Sequence, residues 1–222
     1  GFVLIFTANM GLYYQEQFKN GAQIVVWEIT ETEEQLQEIC TLPNEEQEEL
    51  SYITHPQRRL ERLAVRAILH HIFQEKVYLG YHENGRPFLQ NSIVELSIAH
   101  TRRFACVLTH PENSVGIDIE SLGRNFNAVE KKAVRESEKE FLSERPEVRQ
   151  QQLALIWCVK EALFKYMSQP DVDYVEQMEV DRFTPRESGE IDAVFYQKDG
   201  YKEAFTLEYK ILDDHVMVWL VG

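Results

Sequence analysis

The stretch that most constrains this chain is Leu153 to Met167, which reads LALIWCVKEALFKYM. Wound at about 100° per residue, Trp157, Phe164, Leu153, Met167, Ile156 and Leu163 cover one broad side, and Val159, Tyr166 and Leu155 cover the back. A helix apolar on nearly its whole circumference is a buried helix. Yet it carries Lys160, Glu161 and Lys165, and an unpaired buried charge is strongly destabilising. These three side chains need partners: one another, a metal, or a charged ligand. The simplest partner is internal, a Glu161–Lys165 pair one turn apart.

With 222 residues, the chain suits one large domain or two small ones. Its formal net charge of -14 opposes nucleic acid and anionic membranes, so an anionic ligand needs a local cluster of Arg, Lys or His. Cys40, Cys106 and Cys158 are far apart and show no zinc-type spacing; reduced thiols in a cytoplasm are expected. No apolar run reaches the length of a membrane span.

In chain order, Phe2 to Thr7 and Ala22 to Thr30 read as strands, with a turn at Lys19-Asn20-Gly21. Thr32, with Gln35 three residues on, caps a short helix to Cys40, and Asn44 is expected to cap the acidic segment that follows. Pro56 opens a longer helix bearing Arg58, Arg59, Arg62 and Arg66. Those arginines suit either surface ion pairs or a phosphate cradle. After an Asn84-Gly85 turn, strands over 93–99, 104–109 and 115–120 suggest a three-strand antiparallel meander. Ala128 to Leu142 reads as one helix with Lys131, Arg135 and Lys139 at four-residue steps, and the chain ends in strands over 191–196, 204–211 and 216–221. The order strand, helices, strands thus occurs twice, without a matching sequence repeat.

Val115 to Glu120, VGIDIE, carries more information. Alternation puts Val115, Ile117 and Ile119 on one face and Gly116, Asp118 and Glu120 on the other. Two carboxylates ~7 Å apart on one strand face repel unless a cation sits between them, and hard oxygen ligands of this kind suit Mg²⁺. A bare glycine beside them would let a ligand approach the backbone. The alternative is a polar outer strand face.

VGIDIE and, some forty residues later, WCVKEALFK together resemble the two-part signature of the 4′-phosphopantetheinyl transferase superfamily. Gly116, Asp118 and Glu120 match its strand, and Trp157, Lys160, Glu161, Ala162 and Lys165 match its helix. Gly85-Arg86-Pro87, Ser97 to Thr101 and Leu63 to Arg66 are similar to upstream elements of its long, surfactin-synthetase-activating type. Ala99 in place of a serine, Thr101-Arg102-Arg103 in place of a smaller turn, and the glycine-free YMSQPDVDY after Lys165 depart from the pattern.

The resemblance implies an α+β fold, a pseudo-dimer of two similar halves with the active site at their interface; the boundary would fall between 112 and 113. It implies transfer of 4′-phosphopantetheine from coenzyme A to a serine of an acyl or peptidyl carrier protein. Carried over residue by residue, Asp118, Glu120 and Glu161 would hold Mg²⁺, with Glu161 and Lys165 catalytic. Arg59, Arg66, Arg86, His100, Lys160 and Lys165 would bind coenzyme A, and Arg124, Lys131 and Arg135 would dock the carrier. A monomer is expected, with no nucleic-acid or membrane partner. Two other classes use some of the same residues: a Mg²⁺-dependent nucleotide or coenzyme A phosphohydrolase, and a non-catalytic coenzyme A-binding protein.

Overall fold

A computed structural model describes residues 11–40, 42–90 and 92–222. The strand expected over Phe2 to Thr7 lies outside them. Two antiparallel sheets meet face to face, and each carries one long helix on its outer face. The first sheet holds β1 (Leu12–Gln17), β2 (Gln23–Glu28), β5 (Glu95–His100) and β6 (Phe104–His110) in the order β1-β2-β6-β5. The second holds β7 (Val115–Ser121), β8 (Met178–Val180), β9 (Ser188–Tyr196), β10 (Lys202–Leu212) and β11 (His215–Val221) in the order β7-β11-β10-β9-β8. A small hairpin, β3 (Tyr78–Tyr81) with β4 (Pro87–Gln90), leads into the first sheet.

The period-two pattern explains the layering. In the first sheet, Val25, Trp27, Ala105 and Val107 pack under α3 (Pro56–Phe73), together with its Leu63, Ala67 and Ile68. Their alternates, Ile24, Val26, Phe104, Cys106 and Leu108, face the second sheet. In the second sheet, Val216, Val218 and Leu220 pack under α6 (Pro146–Met167), while Ile117, Ile119, Met217 and Trp219 face the first. The molecule is therefore layered helix, sheet, sheet, helix. Because α6 lies on one sheet and is covered by other elements, Leu153 to Ile156, Val159 and Leu163 are all buried, as its circumference requires.

Several local expectations meet this architecture. Thr32 and Gln35 form a capping box on α1 (Glu33–Ile39), and Pro56 stands at the start of α3. Asn44 does not cap its helix: it is the first residue of α2 (Asn44–Ser51), after Pro43, and no side chain caps that end. The strand Leu12–Gln17 went unread because its pattern mixes half-buried aromatics with polar residues.

The expected three-strand meander stops at two strands. β6 has both edges occupied, by β2 and β5, so β7 joins the second sheet and pairs with β11, Ile117 opposite Trp219. The expected helix over 128–142 is two: α4 (Asn127–Ala133) and α5 (Glu136–Lys139), separated by extended backbone at Val134 and Arg135. That break carries Glu138 into the interior beneath α6. Among the described residues no helix is long and apolar enough to cross a membrane. The three cysteines are free and buried.

Candidate functional site

The edge strands of the two sheets meet where the Ile117 N–H of β7 donates to Ser97 Oγ of β5 at 3.0 Å. Beside this seam opens a cleft of about 790 Å³. One wall comes from α3, β5 and the β3–β4 turn, with Arg58, Glu61, Arg62, Arg86 and His100. The opposite wall is the end of α6, with Glu161, Phe164, Lys165 and Ser168. Asn84 Nδ2 donates across the gap to Ser168 Oγ at 3.3 Å. The shape and mixed lining suit a small-molecule site.

Lys165 does not pair with Glu161. Its Nζ reaches back over the strand and donates to Asp118 Oδ1 at 2.8 Å and to the Ile117 carbonyl at 2.9 Å. Burial pulls this ammonium down, but Asp118 and then the thiol of Cys106 and Glu161 more than offset it, so its pKa stays above the usual lysine value. Asp118 is buried, and its Oδ2 has no hydrogen-bond partner. Glu161 accepts from the Tyr174 hydroxyl at 3.2 Å; burial, then the charge of Asp118, pushes its carboxyl up to about 7. Glu120 accepts from Trp157 Nε1 at 2.9 Å and pairs with Arg124. Burial and Asp118 raise its pKa too, with Arg124 and Trp157 acting against them.

The carboxylates as placed do not close round a cation: among the described residues no three His, Cys, Asp or Glu side chains form a ready ligand set. Asp118 turns to Lys165, Glu120 to Arg124 and Trp157, and Glu161 to Tyr174. The donor chemistry nevertheless fits a hard divalent ion. Three carboxylates lie within mutual electrostatic reach, one buried oxygen is orphaned, and burial and then the charge of Asp118 raise the carboxyls of Glu120 and Glu161. The polar-outer-face alternative for VGIDIE fails, because Asp118 is only 7 % exposed. Gly116 serves packing rather than ligand approach: a Cβ there would stand 2.1 Å from the Ala162 carbonyl oxygen of α6.

Several residues assigned from sequence are elsewhere. Lys160 is fully buried and donates to Glu138 Oε2 (2.9 Å) and to the carbonyls of Ala133 (2.6 Å) and Tyr174 (3.0 Å), so it has no route to a ligand phosphate. Arg59 pairs with Glu33 and donates to the Leu50 carbonyl at 2.6 Å, tying α3 to α1 and α2. Arg66 is buried on Glu46 at 2.8 Å and on the Val77 carbonyl at 2.6 Å. Neither Arg59 nor Arg66 lines the cleft; the arginines of α3 that do are Arg58 and Arg62. Arg62 pairs with Glu49, whereas Arg58 is exposed and makes no ion pair or hydrogen bond among the described residues.

Arg86 and His100 line the cleft, paired with Glu95 and, at 3.1 Å, with Glu61. Arg135 is 3.8 Å from Glu179 and lies over the Tyr196 ring, and it no longer continues a stripe from the exposed Lys131. Arg124 sits on Glu120, beside the carboxylates.

Arg58 and Arg62 stood among the four arginines read as a possible phosphate cradle, and Tyr174 escaped the sequence. The i,i+4 spacing of Arg58 and Arg62 was visible, but not which edge of the helix faced the cleft. Tyr174 lies in an irregular segment with no periodicity to mark it.

Residues 114–219 match the model of the 4′-phosphopantetheinyl transferase superfamily. The match begins just before β7, ends within β11, and takes in all of α6 with the three carboxylates. It supports a transferase role. It covers a little under half of the chain, so the α3 wall with Arg58 and Arg62 lies outside the transferase match. No curated protein matches the chain significantly.

Proposed function

We propose that this protein transfers the 4′-phosphopantetheine group of coenzyme A to a serine of an apo acyl or peptidyl carrier protein, yielding holo carrier protein and adenosine 3′,5′-bisphosphate. One observation carries the reading: Glu161 and Lys165, from the region that matches the superfamily, face Arg58, Arg62, Arg86 and His100 across one cleft. An anionic, elongated substrate laid along that cleft would meet cations on one wall and the reacting groups on the other. The two helix-backed sheets are in keeping with a pseudo-dimer; the proposal further takes the long, surfactin-synthetase-activating type, halves 1–112 and 113–222, and a monomeric, cytoplasmic protein.

Asp118, Glu120 and Glu161 would hold Mg²⁺, which when bound would neutralise the pyrophosphate of coenzyme A. Glu161, which faces the cleft, would take the serine proton as the serine oxygen bonds to phosphorus. Lys165, kept cationic by Asp118, can give a proton to the departing phosphate as the pyrophosphate P–O bond breaks. Arg58, Arg62, Arg86 and His100 would hold substrate phosphates. Arg124 and Lys131 are the basic residues offered to the acidic carrier; Arg135, engaged with Glu179, contributes less than its sequence position implied.

The test is intact-mass measurement of several apo carrier proteins after incubation with coenzyme A, Mg²⁺ and this protein. A gain of one phosphopantetheine is expected. Coenzyme A cleavage with no carrier gaining mass would instead favour the phosphohydrolase, and neither product the binding protein.

A further inference from the structure

The glycine-free segment after α6 is one of the departures from the superfamily pattern, and its contacts give it a task. Tyr174 sits in a turn that closes on itself: Asp173 Oδ1 accepts from the N–H groups of Val175 and Glu176, both at 2.9 Å, and Gln177 N–H donates to the Asp173 carbonyl at 2.8 Å. The Tyr174 carbonyl is held at 3.0 Å by Lys160 Nζ, which is itself fixed by Glu138 in the dry interior. The ring is thus pinned from behind. In front it packs on Trp157 and Phe164, with centroids 5.7 Å away in each case, and its hydroxyl meets Glu161 Oε1. Trp157 in turn donates to Glu120. One ring therefore bears on two of the three carboxylates, on Glu161 directly and on Glu120 through Trp157.

We infer that Tyr174 is a positioning residue: its hydroxyl holds the Glu161 carboxylate in its working orientation, and the buried Lys160–Glu138 pair sets Tyr174 in place. The inference rests on the assignment of Glu161 to the metal and the reaction. A glutamate has three side-chain torsions, and nothing else on the cleft side of α6 donates to Glu161 among the described residues. The phenol occupies Oε1 and leaves Oε2 for a cation or a proton. Groups that orient a ligand in this way typically change metal affinity by about 10–100-fold when removed.

Tyr174→Phe keeps the ring and deletes the single hydrogen bond. Calorimetric titration of the protein with Mg²⁺ and coenzyme A, with no carrier present, reads binding independently of transfer. The expected result is Mg²⁺ binding about tenfold weaker than in wild type, with the melting temperature unchanged. In carrier assays kcat should fall while KM for coenzyme A stays constant. In a Glu161→Ala background, which removes the accepting oxygen, adding Tyr174→Phe should do nothing further. Wild-type Mg²⁺ affinity in Tyr174→Phe, or equal losses from it in both backgrounds, would overturn the inference. If wild type binds Mg²⁺ but modifies no carrier, the proposed function fails while the calorimetric comparison still judges Tyr174.

Discussion

Glu161 keeps its proton to about 7 because burial and the neighbouring Asp118 both oppose its ionisation. An unfolded glutamate releases its proton near 4.3, so between these values the folded chain holds a proton that the unfolded chain has lost. Folding stability from this group is thus full below ~4.3, declines as pH rises towards about 7, and is flat above. In metal-free protein, Glu161→Gln should therefore gain stability over wild type as pH rises, by on the order of 2–3 kcal/mol at pH 8. Thermal melts across pH with a chelator present check this, and parallel curves for the two proteins would contradict it. Lys160 allows a sharper distinction. Breaking a fully buried pair leaves a bare charge, so Lys160→Met should lower stability by about 3–5 kcal/mol, and Glu138→Leu added to it should recover most of that. A lysine that only bound substrate phosphate would instead lower turnover and leave denaturant unfolding alone.

Among the elements, β7 and α6 decide the site, and their closeness depends on Gly116. A methyl group there would strike the Ala162 backbone, which a side-chain rotation cannot relieve. Gly116→Ala should therefore destabilise by at least the ~1–3 kcal/mol typical of overpacking and should loosen the Lys165–Asp118 contact. Urea unfolding measures the first effect; unchanged stability with reduced activity would restore the ligand-approach explanation. The strand and the helix were both legible in the sequence, because alternation in VGIDIE and the apolar circumference of α6 are strong periodic signals. The need of Lys160, Glu161 and Lys165 for partners was legible too. Their identity was not: Glu138 reaches Lys160 only because the helix breaks at Val134–Arg135, and Tyr174 reaches Glu161 only through an irregular turn. Likewise Arg59 and Arg58 are adjacent in sequence, and only the packing of α1 against α3 makes one a strut and the other a free cation.

At the scale of the molecule, that difference becomes a test of the cleft. Arg58→Ala should leave the ligand-free melting temperature unchanged and reduce the stabilisation given by coenzyme A. Arg59→Ala should do the reverse, since it loses the strut to Glu33 and the Leu50 carbonyl. Thermal shift with and without coenzyme A reads both, and identical behaviour of the two variants would remove the cleft assignment. The opposing sheet faces carry a further consequence for anyone trimming the gene. Ile117, Ile119, Met217 and Trp219 are sheltered by Ile24, Val26, Phe104 and Leu108. A fragment cut to the matched span of 114–219 would keep all three carboxylates, yet would present that whole sheet face to water. It should precipitate, or recruit a second copy as a roof, so the span that carries the family's signature is shorter than the span that can be purified.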